Sequence, residues 1–111
     1  MKVGIDMEDN SRFVRIIEQE HFMERVFALE EREYIAKKGA KAAAGIFCVK
    51  EAFGKALGSG IFNIKYHDAV VLREESGKPY LRLTGKYEGI KAEISISHSG
   101  NNTVAVCIIE D

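Results

Sequence analysis

The apolar residues of this chain change period halfway along, and that change constrains the fold more than any other feature. From Phe13 to Leu57 they recur at helical spacing, whereas from Ala69 to Ile109 they alternate with polar neighbours or form short apolar runs. Ahead of both parts, Val3, Ile5 and Met7 alternate with Gly4, Asp6 and Glu8, so the chain opens on a short strand with one apolar face. Asn10 and Ser11 offer helix N-caps to a segment holding Phe13, Ile16 and Ile17, and a second short helix fits Phe22 to Phe27. Leu29 to Lys38 reads as a helix, acidic in its first turn and closed by Lys37, Lys38 and Gly39, which suits its dipole and a C-cap. The strongest helix spans Ala40 to Leu57, rich in Ala, Lys and Glu, and Gly58-Ser59-Gly60 stops it. Strands follow at Ala69 to Glu74 and Tyr80 to Thr84, around a turn at Ser76-Gly77-Lys78-Pro79. Ala92, Ile94, Ile96 and His98 share a face of another strand, and Gly100-Asn101-Asn102 turns it into Val104 to Ile109. Helices first and strands later predict an α+β domain, an antiparallel sheet packed with a long central helix.

A length of 111 residues fits a single domain over 1–111, with a core that removes roughly 65% of the unfolded surface. An apolar content of 46% excludes a disordered chain, and a single Pro excludes a collagen-like one. Sixteen basic side chains against seventeen acidic ones leave a net charge of −1, without the overall basic footprint of a nucleic-acid binder. Charges recur every few residues, so no membrane-spanning or secretory segment is visible and the expected compartment is the cytoplasm. Cys48 and Cys107 each sit in an apolar run, as small buried hydrophobes do.

Three places carry residues suited to chemistry. On the long helix, Phe47, Glu51, Gly54, Lys55 and Gly58 share one stripe, next to Lys50. The plain reading is a solvated Glu–Lys pair; the two glycines, each costing about 1 kcal/mol relative to Ala, weaken it by leaving room for a ligand. On the first strand, Asp6 and Glu8 stand two apart and point the same way. They form either an exposed polar face or a site for a hard cation, since Mg²⁺ takes one or two carboxylates and completes its shell with phosphate oxygens. Ser95-Ile96-Ser97-His98-Ser99 places hydroxyls and an imidazole before a Gly-Asn-Asn turn, donors of the kind that hold phosphate oxygens. A serine nucleophile is disfavoured, because no nucleophile elbow is present. Together these residues favour a metal-assisted reaction at a phosphate or pyrophosphate.

Several of these segments also carry a resemblance. Gly4-Ile5-Asp6, then Lys50-Glu51-Ala52-Phe53 followed by Lys55-Ala56-Leu57-Gly58, the turn Gly77-Lys78-Pro79, and Ser95-Ile96-Ser97-His98-Ser99 occur in that order over nearly the whole chain. The pattern resembles the holo-[acyl-carrier-protein] synthases of the 4′-phosphopantetheinyl transferase superfamily. The resemblance implies that family's small α+β fold. It implies transfer of the 4′-phosphopantetheine arm of coenzyme A to a serine of apo-acyl carrier protein, leaving adenosine 3′,5′-bisphosphate, in support of fatty acid biosynthesis. It further implies Mg²⁺ held by Asp6 and Glu51, with Glu51, Lys55 and His98 in catalytic roles. Coenzyme A contacts would come from Lys50, Lys55, Gly58, Gly77, Lys78, Pro79, His98 and Ser99. Glu51 or a metal-bound water would take the serine proton. The assembly implied is a homotrimer with coenzyme A between subunits, and an acidic carrier protein docking on Arg12, with Arg15 and Arg25 as further partners.

Two positions depart from the family pattern. Ile46 stands where an arginine is common, and Glu8 stands where small synthases carry an apolar or small residue. Glu8 is therefore expected as a third metal ligand, direct or through water. Two other functions fit the same residues: a transferase for polyketide or peptide synthetase carrier domains, and a coenzyme A-binding module without turnover.

Overall fold

A computed structural model describes residues 1–58 and 64–110. Strand β1 (Lys2–Asp9) leads into three short helices, α1 (Arg12–Ile16), α2 (Glu20–Val26) and α3 (Leu29–Lys38), and then the long α4 (Ala40–Leu57). After one 3₁₀ turn (Tyr66–Asp68) come β2 (Ala69–Arg73) and β3 (Pro79–Leu83). A second 3₁₀ turn (Gly85–Tyr87) precedes β4 (Ala92–Ser99) and β5 (Asn102–Ile109). All three helices expected between Asn10 and Leu57 beyond the first strand's end, and the long one behind them, are present; Ser59 and Gly60 of the expected stop lie outside the described residues. The expected caps of α1 differ. Neither Asn10 nor Ser11 caps it through a side chain; Asp9 Oδ1 accepts from the Ser11 backbone and hydroxyl, and Asn10 is used elsewhere.

The strands divide into two antiparallel sheets, β1-β5-β4 and β2-β3, rather than one. Glu31 of α3 covers the free edge of β2: its Oε2 accepts from Val71 N at 2.7 Å, which satisfies a backbone donor there. β2 packs on α3 and α4, while the larger sheet lies along α4.

α4 meets the larger sheet along a stripe of small residues, Gly45, Cys48, Ala52 and Ala56, spaced to share one face. Gly4 of β1 makes the closest approach. A Cβ added there would stand 1.9 Å from the Ala52 carbonyl oxygen and 2.5 Å from the Ala56 nitrogen. Both are backbone atoms of a regular helix and cannot step aside. Gly4→Ala is therefore expected to push β1 off α4 at a cost of about 3 kcal/mol, read as a fall in the urea midpoint.

The sheet's two faces are the reverse of what the pattern of a surface strand suggests. Gly4, Asp6 and Glu8 point toward α4, in rows with Cys107, Ala105 and Thr103 of β5. The apolar residues of β1 face outward: Val3 is 57% exposed, Ile5 59% and Met7 64%. Val104, Val106 and Ile108 of β5 lie beside them, half-buried. A fold that buries its carboxylates and exposes its valine, isoleucine and methionine has a use for both faces.

Candidate active site

Asp6 and Glu8 project from the inner face of β1 onto the flank of α4 that carries Glu51 and Lys55. Their exposures show how far the acids are withdrawn from water: the Asp6 side chain is 11% exposed, Glu8 7% and Glu51 3%. Lys55, half exposed at the end of α4, reaches back to pair with Asp6, Nζ to Oδ1 at 3.1 Å. Arg12, the first residue of α1, pairs with Glu8, Nη1 to Oε1 at 2.9 Å. Tyr66 donates its hydroxyl to Glu51 Oε1 at 3.1 Å. One oxygen on each of two acids is left over: Asp6 Oδ2 and Glu51 Oε2 are buried without any hydrogen-bond partner.

Three carboxylates gathered in low dielectric repel one another and lose hydration. Burial, then the neighbouring Asp6 carboxyl, pushes Glu8 up to about 8, against the pull of Arg12. Burial likewise raises Glu51, opposed by the Tyr66 hydrogen bond. A divalent cation held by these acids would offset the crowded charge and could partner an orphaned oxygen. The donor set fits Mg²⁺ in particular. Mg²⁺ needs only one or two carboxylates beside water and phosphate oxygens, a set that Asp6 and Glu51 could supply.

His98 lies on the same face of the sheet, two strands away. Glu8, Thr103 and His98 form one row across β1, β5 and β4, so Glu8 and His98 stand about 10 Å apart within one chain. The ring is fixed by a relay: Thr103 donates to Asn10 Oδ1 at 2.5 Å and lies 2.6 Å from His98 Nδ1. With its single proton given to Asn10, the Thr103 hydroxyl accepts from His98, so Nδ1 carries the proton, and the Cε1–Nε2 edge of the ring lies over Gly45 of α4. Burial, then the charges of Lys41 and Arg73, hold the imidazole below its ordinary value. Ser99 ends the same strand, exposed.

The remaining expected residues divide. Gly58 is the C-cap of α4, left-handed at φ 79°. Gly77, Lys78 and Pro79 form the turn between β2 and β3 at the tip of the smaller sheet, where Gly77 and Lys78 are exposed. Arg12 is spoken for by Glu8 although its side chain stays 58% exposed, and Arg15 is exposed on the same helix. Ile46, at 1% exposure, belongs to the core.

Lys50 corrects the expectation of a coenzyme A contact. Its ammonium is 0% exposed and donates to Val26 O at 2.9 Å, Glu31 Oε1 at 2.7 Å and Tyr66 O at 2.9 Å. All three protons are used inside the protein, on the side of α4 turned away from Asp6, so none is left for a phosphate. Four residues that matter here were missed in the sequence: Tyr66, Glu31, Thr103 and Asn10. Only Glu31 had a signal, as an acid at the third position of a helix, where it also accepts from Ala28 N at 2.8 Å. Cys48 and Cys107 are free, buried thiols, as expected. Burial pushes Cys48 up to about 12 and Cys107 up to about 11, and Cys48 donates to the Asp6 carbonyl at 3.1 Å.

Comparison with known proteins adds to this geometry. A family model described as the 4′-phosphopantetheinyl transferase superfamily matches residues 2–108. Among characterised relatives, the holo-[acyl-carrier-protein] synthase of Alkaliphilus metalliredigens is 42% identical, over 96% of this chain and 95% of its own. That of Geobacter metallireducens is 40% identical, over 96% and 94%. Among solved structures, the Helicobacter pylori holo-[acyl-carrier-protein] synthase in complex with coenzyme A superposes with a TM-score of 0.86 at 27% identity, covering 97% of this chain and 99% of that one. The Bacillus anthracis synthase, in complex with CoA (3′,5′-ADP), gives 0.84 at 30% identity, over 97% and 94%.

Proposed function

This chain belongs to the holo-[acyl-carrier-protein] synthases of the 4′-phosphopantetheinyl transferase superfamily, and from that premise we propose that it moves the phosphopantetheine arm of coenzyme A onto a serine of apo-acyl carrier protein, releasing adenosine 3′,5′-bisphosphate. The observation that carries the proposal is the pair of buried, unpartnered oxygens on Asp6 and Glu51, with Lys55 beside them. Mass gain on an apo carrier protein incubated with coenzyme A tests it.

Asp6 and Glu51 are the proposed Mg²⁺ ligands. Glu8, paired with Arg12, is the third proposed ligand, direct or through water. An ion held there would offset negative charge on the pyrophosphate while the P–O bond between its two phosphorus atoms breaks, the phosphorus of the arm passing to the serine oxygen and the other phosphate leaving as part of adenosine 3′,5′-bisphosphate. Lys55 adds a compact positive charge on the same oxygens, which it can reach by releasing Asp6. The serine proton would pass to Glu51 or to a water at the cation. His98, held by Thr103 and Asn10, would donate from Nε2 to the coenzyme A phosphates as the imidazolium, the form their negative charge favours, with Ser99 next to it. Gly58 and the Gly77-Lys78-Pro79 turn complete the coenzyme A contacts.

The exposed apolar face of β1 and β5 supports the homotrimer, since a single chain leaves Val3, Ile5 and Met7 in water. Joining three copies through that face buries it, without touching the acids on the other side. Ile5→Glu is expected to shift the species seen by light scattering from trimer to monomer.

Arg12 and Arg15 on α1 are proposed to receive an acidic carrier protein. Arg12→Gln is expected to raise KM for the carrier about tenfold, the loss of one charge-assisted contact, with KM for coenzyme A within twofold of the unsubstituted protein. Steady-state kinetics varying each substrate in turn separates the two. The setting is the cytoplasm and fatty acid biosynthesis; among the described residues, no helix is long and apolar enough to cross a membrane.

A further inference from the structure

We infer that Tyr66 is a positioning residue that sets the Glu51 carboxylate for its cation, an inference that rests on reading Glu51 as a metal ligand.

Tyr66 sits in a single 3₁₀ turn after α4, and both ends of the residue are engaged. Its carbonyl accepts from Lys50 Nζ at 2.9 Å, and its hydroxyl donates to Glu51 Oε1 at 3.1 Å. Lys50 and Glu51 are consecutive in α4, so their side chains leave the helix about 100° apart. Tyr66 spans that angle, fixed by its backbone to one and by its ring to the other. The fixed point is rigid. Lys50 is wholly buried, and Glu31, its partner, also accepts from Ala28 N at 2.8 Å and Val71 N at 2.7 Å. The phenol ring stacks on Phe47, centroids 6.4 Å apart and planes 26° apart. The end of α2, the start of α3, β2 and α4 thus all constrain where one hydroxyl lies.

The consequence falls on Glu51. A carboxylate on a two-carbon stem can turn either oxygen toward a cation or away from it. Once Oε1 is taken by the hydroxyl, Oε2 is the oxygen left buried and free. Partners that orient a ligand in this way commonly account for ten- to a hundredfold in metal affinity. Nothing in the sequence of Tyr66 announces the role; it follows from the two hydrogen bonds.

The test is Tyr66→Phe, which keeps the ring and its stacking and removes one oxygen. Mn²⁺ serves as probe, with coenzyme A present, and the free ion is counted by electron paramagnetic resonance. Mn²⁺ binding is expected to weaken about tenfold while the thermal midpoint of the metal-free protein stays unchanged. Unchanged Mn²⁺ affinity in Tyr66→Phe, beside lost binding in Glu51→Gln, overturns the role of Tyr66 and leaves the ligand reading standing. Unchanged affinity in both variants overturns the ligand reading, and the inference with it. A lowered midpoint with unchanged affinity assigns Tyr66 a purely structural part and likewise overturns it.

Discussion

Asp6→Asn is expected to lower the transfer rate roughly 10²- to 10³-fold, the scale on which loss of one charge-stabilising group at a reacting centre is felt. The same substitution is expected to leave the metal-free protein at least as stable as before. Asp6 Oδ2 has no partner, and after burial the Asp6 carboxyl is the next cause of the rise of Glu8 to about 8, so removing its charge relieves repulsion inside the fold. Lys55 loses an exposed ion pair worth little. Activity and stability should therefore move in opposite directions, which is the signature of acids retained for a ligand and not for the fold. Rate assays and thermal melting on one preparation check both halves. A variant that loses stability in step with activity would mark Asp6 as a structural residue.

Lys50→Met gives the second large effect, and it is of the other kind. Lys50 and Glu31 form an ion pair with both side chains 0% exposed. Deleting the ammonium leaves the Glu31 charge buried without its counterion and strips Val26 O and Tyr66 O of their donor. Breaking such a pair costs about 3–5 kcal/mol. At about 4 °C or more per kcal/mol for a domain near this size, the thermal midpoint falls by about 12 °C or more. Lys50 and Glu51, neighbours in sequence, thus do different work: one holds the fold, the other is held ready by it. Equilibrium unfolding in urea measures the difference directly.

How far the sequence reveals this division depends on what its pattern can encode. Period reveals the elements: the switch from helical to alternating spacing after Leu57 located α4 and all four later strands, and Gly39 closes α3 at φ 89° as its place after Lys37 and Lys38 implies. Period also showed that Asp6 and Glu8 share a face. It does not say which face is turned inward, because that depends on what packs there. Apolar residues usually face the helix; here Gly4 lets β1 close on α4, and the acids go with it. The same limit explains Lys50. Its spacing put it beside Glu51 on a helix, but only the arrival of Val26, Glu31 and Tyr66 from three other segments turns it into a buried hub. Thr103 and Asn10 were out of reach for the same reason, being 93 positions apart in the chain and one hydrogen bond apart in space.

The partition of the sheet also accounts for the charge balance. A net charge of −1 suggests indifference to charged partners. In space, Asp6, Glu8 and Glu51 gather at one flank of α4, while Arg12 and Arg15 lie on the short helix beside it, Arg12 already reaching one of those acids. The proposed cation and the proposed acidic partner rest on charge position, not on net charge.

The central claim is that two buried acids of α4 and β1 serve a metal-assisted transfer from coenzyme A to a carrier serine. The most direct test incubates the unsubstituted protein with coenzyme A and apo-acyl carrier protein, once with Mg²⁺ and once with a chelator, and weighs the carrier by mass spectrometry. The account predicts one phosphopantetheine arm on the carrier with Mg²⁺ and an unmodified carrier with the chelator. An unmodified carrier in both reactions, or equal modification in both, would contradict it.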